Sequence, residues 1–303
     1  MGQQLHATVP AARAVLEEVD DALGERLSTL IFEGPEERLR LTENAQPALM
    51  ATSLAVLRAL EAASGRSLPQ LCGYVAGHSL GEYSALAAAG SLPVGAAARL
   101  LRLRGRAMQA AVPVGEGAMA AILGLELAAV EEVAAEAASA GVCDVANDNA
   151  PGQVVVSGAA AAVERAVALA KAKGARRSML LSVSAPFHCR LLTPAAEAMR
   201  EALASIRLAP PAVPLIANVT ATPETDPARL ATLLVEQVTA RVRWRESLLA
   251  MAGLGVQATV ELGAGRVLTG LTKRAAPAMI ATALGTPEEI AAYAATLEAG
   301  PNA

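Results

Sequence analysis

The 303-residue chain is poor in several residue types, and each scarcity closes a class of function. Aromatics are 2% of it: one Trp, three Tyr and two Phe. That removes the stacking platforms on which single-stranded nucleic acids bind. Basic residues are not in surplus, since 25 Lys and Arg stand against 29 Asp and Glu, for a formal charge of −4. With no Lys/Arg run to neutralise phosphates, no nucleic-acid partner is expected. The three cysteines, Cys72, Cys143 and Cys189, are widely spaced and form no CxxC. Neither a disulfide framework nor a zinc site is indicated. Three histidines without an HExxH pattern argue against a metal enzyme. No apolar stretch reaches the roughly 18 residues of a spanning helix, so no membrane is expected. Residues 1–10 lack a basic segment leading into an apolar one, so no signal peptide is read. Together these point to the cytoplasm.

What is abundant is apolar. Hydrophobic residues make up 53% and charged residues 18%, which supplies a large core and excludes intrinsic disorder. At ~150 residues per domain, the length predicts two domains, or one α/β body with an inserted subdomain. Helices are expected at 11–23, 46–64, 79–90 and 93–112, with a short buried strand at 71–77. From 117 the pattern changes to strand 117–124, helix 126–140, strand 153–158, helix 160–174 and strand 176–184. That compact unit suggests a ferredoxin-like subdomain. A helix at 190–206, strands at 213–219, 256–262 and 278–284, and helices at 226–239, 243–254, 266–275 and 286–298 complete the chain. Strands separated by helices predict a parallel α/β sheet.

The sharpest motif is Gly77-His78-Ser79-Leu80-Gly81, where a strand meets a helix. In that context G-x-S-x-G marks a tight turn that presents a serine hydroxyl, the two glycines removing Cβ atoms that would clash. The following helix offers unpaired N–H groups and a positive dipole end. Leu80 N–H is then placed to hold an oxyanion on a carbonyl attacked by Ser79. A serine nucleophile needs a base. His78 leaves the turn in another direction and reads as structural, and His6 lies in a frayed terminal segment. His188, in Ser184-Ala185-Pro186-Phe187-His188 past a strand end, is the remaining candidate.

Helix 93–112 carries a second clue. On a helical projection, Leu100, Leu101, Leu103, Ala107, Met108 and Ala111 share one arc. Arg99, Arg102, Arg106 and Gln109 lie opposite and read as solvated. Arg104 falls inside the apolar arc, where an unpaired guanidinium is very costly. Its partner is either a protein carboxylate or a substrate carboxylate gripped by both guanidinium nitrogens.

These segments resemble the malonyl-CoA:acyl carrier protein transacylase family. The resemblance rests on Gly77-His78-Ser79-Leu80-Gly81-Glu82-Tyr83, Gln46-Pro47-Ala48-Leu49, Arg104-Gly105 and Asn149-Ala150-Pro151-Gly152-Gln153-Val154-Val155. Pro186-Phe187-His188 and Gly265-Arg266-Val267-Leu268-Thr269-Gly270-Leu271-Thr272-Lys273-Arg274 match as well, in family order, from about residue 1 to 290. The resemblance implies an α/β-hydrolase-like large domain, 1–112 and 186–303, carrying a ferredoxin-like small one, 113–185. It implies Ser79 as acylated nucleophile, His188 as base, and Gln237 orienting His188 through its backbone carbonyl. Arg104 would pair with the malonyl carboxylate, Gln46 and Asn149 would line the cleft, and Phe187 would crowd a 2-methyl substituent. Malonyl-CoA and acyl carrier protein are the implied partners, without metal or redox cofactor. The acidic carrier would meet a basic patch at Arg241, Arg243, Arg245, Lys273 and Arg274, or these are scattered solvated charges.

One departure accompanies the resemblance. The family opens with a strand and a Gly-Gln-Gly loop that provides a second oxyanion donor. Here the chain begins Met1-Gly2-Gln3-Gln4-Leu5, so that first strand is expected to be missing. Losing one such donor costs roughly 10²–10³ in rate. A serine esterase and a low-activity truncated transacylase are the alternatives to a working transacylase. Against the esterase stand the absent HGGG-type segment and the uselessness of Arg104 on a neutral ester. Monomer is the default expectation.

Overall fold

The computed structural model describes residues 1–298. It opens with helices α1 (Gln3–Thr8), α2 (Pro10–Leu23), α3 (Leu27–Glu33), α4 (Glu36–Arg40) and α5 (Thr42–Ser64). Pro10 starts α2, where its missing N–H is no loss, and Gly24 ends it in the left-handed region. Helix α5 is buried on several sides because Ala48, Ala51, Ala55 and Ala59 let its neighbours approach closely. Next come α6 (Leu68–Leu71), β1 (Val75–Ala76), α7 (Gly81–Ala88) and α8 (Val94–Ala110). The strand expected over 71–77 shrinks to two residues. Leu68–Leu71 instead winds into a helical turn, with the Gln70 side chain accepting the Ser67 N–H at 2.9 Å. His6 is not frayed: it lies in α1, with its ring 5.2 Å from that of Phe32.

The second unit runs β2 (Gly117–Leu123), α9 (Leu127–Ala137), β3 (Cys143–Ala150), β4 (Gln153–Ala159), α10 (Ala160–Ala172) and β5 (Arg177–Leu180). Its strand order is β3-β4-β2-β5. Every pairing in it is antiparallel. Strand β3 was not foreseen. Asp144, Asn147, Asp148 and Asn149 hide its alternation, and two register shifts break it further. Pro151-Gly152 closes the β3–β4 hairpin, with Gly152 at φ 63°. Beneath the sheet, Ile122, Val130, Val133, Val156, Val163 and Ala166 form an apolar core of the unit's own.

The chain then returns to the first unit through α11 (Thr193–Ala204), β6 (Leu215–Ile216), β7 (Pro223–Glu224) and α12 (Pro227–Glu236). It closes with α13 (Trp244–Gly253), β8 (Ala258–Leu262), α14 (Val267–Ala275), β9 (Ile280–Leu284) and α15 (Pro287–Glu298). β1 pairs parallel with β6, and β8 with β9, whereas β6–β7 is antiparallel. Ion pairs Asp144–Arg190 and Asp148–Arg245, each 2.9 Å, tie β3 to this returning segment. Among the described residues no strand precedes α1, and no helix is long and apolar enough to cross a membrane.

Candidate active site

The turn between β1 and α7 is held by close backbone packing. A Cβ on Gly77 would sit 2.0 Å from the Gly81 carbonyl, so residue 77 must be glycine. A Cβ on Gly81 would meet nothing within 4 Å, so the second glycine does not relieve the clash that its own side chain was expected to cause. Ser79 is bent to φ 52°, a left-handed conformation that a serine adopts only under constraint. Asn218 supplies the constraint. Its Oδ1 accepts the Ser79 N–H at 2.7 Å, and its Nδ2 donates to the Gly77 carbonyl at 2.8 Å. Asn218 is fully buried just past β6 and was missed, because nothing local separates it from an ordinary loop asparagine.

Ser79 Oγ lies 2.8 Å from His188 Nε2. His188 Nδ1 lies 2.8 Å from the Gln237 carbonyl oxygen, which can only accept, so Nδ1 carries the proton. Nε2 is then left as an acceptor for the Ser79 hydroxyl. His188 is 4% exposed and also left-handed, at φ 58°. Burial, and after it the charge of Arg104, lowers its pKa to about 3, so the imidazole is neutral near pH 7. The Leu80 N–H has no acceptor among the described residues and heads α7 beside Ser79.

Arg104 is 1% exposed. Its Nη1 donates to Gln46 Oε1 at 2.7 Å. Its Nη2 donates to Gln237 Oε1 at 2.8 Å and to Ser79 Oγ at 3.2 Å. Its guanidinium carbon lies 5.8 Å from the centre of the Tyr83 ring. No carboxylate among the described residues lies within ion-pair distance of it. The question left open by the sequence is thereby answered for the free protein: two neutral amides hold this cation against the serine. Gln46 is braced in turn by Thr42 Oγ1 at 2.9 Å.

The other expected residues gather around this centre less directly. Asn149, in β3 of the second unit's sheet, lies with its Oδ1 2.8 Å from His78 Nε2. The His78 ring leans on Trp244 at 5.5 Å, which fits its structural reading. Phe187 is half-buried and packs against Met119 and Val155 of that sheet. One charge was misjudged. Arg102 is 8% exposed, not solvated, and pairs with Glu25 and with Asn44 Oδ1. Helix α8 packs against α2, α5 and α11, so more than one arc of it is covered, while Leu103 is left 38% exposed. Of the proposed basic patch, Arg241 pairs with Glu131, Arg243 with Glu246 and Arg245 with Asp148, and Arg274 bonds Gln153 and Pro151 O. Glu82, fully buried and bonded to both Asn218 and Gln237, was not singled out.

A serine hydrogen-bonded to a neutral histidine, with a cation held beside its oxygen, has the parts that acyl transfer needs. The acyl transferase domain model matches residues 1–288. A malonyl CoA-acyl carrier protein transacylase of Bacillus subtilis is 45% identical over 299 residues, covering 98% of this chain and 93% of that protein. The chain belongs to the malonyl-CoA:acyl carrier protein transacylase family. The crystal structure of an acyl-carrier-protein S-malonyltransferase from Bartonella henselae superposes on this family member with a TM-score of 0.95. The two are 54% identical, over 98% of this chain and 95% of that one. A malonyl-transacylase solved in complex with its type II PKS acyl-carrier protein matches at a TM-score of 0.94 and 39% identity, over 98% and 94%.

Proposed function

We propose that the chain moves a malonyl group from coenzyme A to the phosphopantetheine thiol of acyl carrier protein, through a malonyl ester on Ser79. The observation that carries this reading is the placement of the Arg104 guanidinium 3.2 Å from Ser79 Oγ, inside a hydrogen-bonded Ser79–His188–Gln237 chain. In the first half-reaction Ser79 Oγ attacks the thioester carbonyl, and its proton passes to His188 Nε2. Leu80 N–H holds the developing oxyanion. The tetrahedral species collapses, the C–S bond breaks, and the coenzyme A sulfur leaves with the proton from His188. In the second half-reaction the carrier thiol gives its proton to His188 and attacks the malonyl-serine ester. Ser79 recovers a proton as it leaves. A base so placed is worth roughly 10²–10⁴-fold.

In this reading Gln237 orients His188 through its carbonyl, so no acidic triad member is needed. Arg104 grips the malonyl carboxylate, with Gln46 aligning it. Asn149 and Phe187 line the cleft, and Phe187 crowds a 2-methyl substituent. The reaction needs neither metal nor redox cofactor, and the cytoplasm is its setting. Residues 1–112 and the described part of 186–303 form a hydrolase-like domain. The β3-β4-β2-β5 sheet with α9 and α10 on one face supports a ferredoxin-like subdomain over 113–185. In the described residues β1 and β8 each end a sheet. The test is mass spectrometry after mixing with malonyl-CoA. The wild type should gain a malonyl adduct and Ser79→Ala none, and an adduct on Ser79→Ala would overturn the assignment.

A further inference from the structure

A carboxyl group lies beneath the site with no surface of its own. Glu82 is 0% exposed, in the first turn of the helix that follows Ser79. Its Oε1 accepts the Asn218 N–H, and its Oε2 accepts Gln237 Nε2. Those two residues are the ones that shape the reacting groups. Asn218 pins the left-handed Ser79 through Oδ1 and anchors Gly77 through Nδ2. Gln237 presents its carbonyl to His188, its Oε1 to Arg104 and its Nε2 to the Ser79 carbonyl at 2.9 Å.

We propose that Glu82 is a positioning residue for the acyl transfer. Through Asn218 it fixes the backbone of the nucleophile, and through the Gln237 side chain it fixes the base and the cation together. This rests on the Ser79–His188 reading above. The geometry leaves little freedom. The Gln237 amide cannot flip, because its NH₂ would then face the Arg104 NH donor. Both N–H groups of that amide are used, one on Glu82 and one on Ser79 O. Only an acceptor on both oxygens of residue 82 satisfies this pattern. Burial raises the Glu82 pKa to about 8, while the Asn218 N–H, the Gln237 amide and the Arg104 charge each work the other way. Two donors converge on this buried carboxyl, and the Gln237 amide links it to Arg104.

The two strained residues give the proposal its energetic sense. Left-handed Ser79 and His188 persist only where surrounding contacts over-determine them. A glutamine at 82 offers one acceptor and one NH₂, so a donor must face a donor on either the Asn218 or the Gln237 side. An aspartate keeps the acceptors but is one methylene short.

The experiment is single-turnover formation of the malonyl-serine adduct over a range of malonyl-CoA concentrations. Rates are expressed per folded molecule by circular dichroism, for wild type, Glu82→Gln, Glu82→Asp and Ser79→Ala. A misplacement near 1 Å costs on the order of 10²-fold. Glu82→Gln should therefore lose about 10²-fold in maximal rate, with a smaller change in the half-saturating concentration. Glu82→Asp, one methylene short, should run measurably slower than wild type but within about tenfold of it. A wild-type maximal rate for Glu82→Gln, or equal slowing of both variants, would overturn the proposal. Should Glu82→Gln not fold, Glu82→Asp decides alone: a slower maximal rate supports the role and a wild-type rate refutes it. An adduct persisting on Ser79→Ala would instead remove the underlying reading. An inert Ser79→Ala beside a fast Glu82→Gln would remove only the role of Glu82.

Discussion

Two buried regions of the molecule are built from opposite materials. Beneath the β3-β4-β2-β5 sheet the core is Ile122, Val130, Val133, Val156, Val163 and alanines, all apolar. Beneath Ser79 the buried groups are Glu82, Arg104, Asn218, Gln237 and His188, each held by hydrogen bonds. The first region gains stability in proportion to area removed from water and tolerates small shifts. The second gains little net stability from bonds that only replace bonds to water, and a lost partner leaves an expensive orphan. What it gains is direction, with each donor aimed at one acceptor around a single serine oxygen.

That contrast predicts that the two regions fail differently. The largest effect should come from His188→Ala. Removing the proposed base should cost roughly 10²–10⁴-fold in malonyl transfer at neutral pH, with the far-UV circular dichroism spectrum kept and with partial recovery at higher pH. Unchanged transfer would make His188 structural. Next comes Ile122→Ala in the apolar core. A fully buried large-to-small change costs about 2–5 kcal/mol of stability. Denaturant unfolding should register it, while the rate of Ser79 acylation per folded molecule stays at the wild-type value. A parallel loss of acylation would break the separation of the two regions.

The smallest effect is in pH. His188 stays neutral in the fold down to about pH 3, whereas in the unfolded chain it titrates near 6.5. Below that value the unfolded state binds a proton that the native state refuses, so stability falls as pH falls. Between pH 7.5 and 5.5 the loss should be about 1.4 kcal/mol from this residue. Melting curves should show His188→Ala less acid-sensitive than the wild type over that window, and equal sensitivity would contradict the burial argument.

How much of this was legible in the sequence follows the same division. The long helices were readable because their apolar residues recur at helical spacing, and α2, α5, α8 and α10 lie within a few residues of expectation. Ser79 was readable from a local turn motif, and Arg104 from a charge inside an apolar arc. Arg102 was misread because a one-arc projection cannot represent a helix covered by three neighbours. β3 escaped because Asp148 and Asn147 are buried against Arg245 and Val242, far along the chain. Asn218 and Glu82 escaped for the same reason. Their bonds span 136 to 155 residues, and no local pattern encodes a partner at that distance.

The most direct test of the central claim is the acyl preference of Arg104→Ala. In the free protein the guanidinium is held by Gln46 and Gln237 with no carboxylate of the described residues in ion-pair reach, so its charge is available to an acyl group that brings one. Charge-assisted hydrogen bonds contribute roughly 1.5–3 kcal/mol, equivalent to about 10- to 150-fold in specificity. Acylation rates with malonyl-CoA and acetyl-CoA, measured on wild type and Arg104→Ala, should show a loss of about that size confined to malonyl-CoA. The malonyl-to-acetyl preference should collapse or invert. Equal losses on the two substrates would mean that Arg104 serves only to build the site, and the claim that it selects a dicarboxylic acyl group would fail.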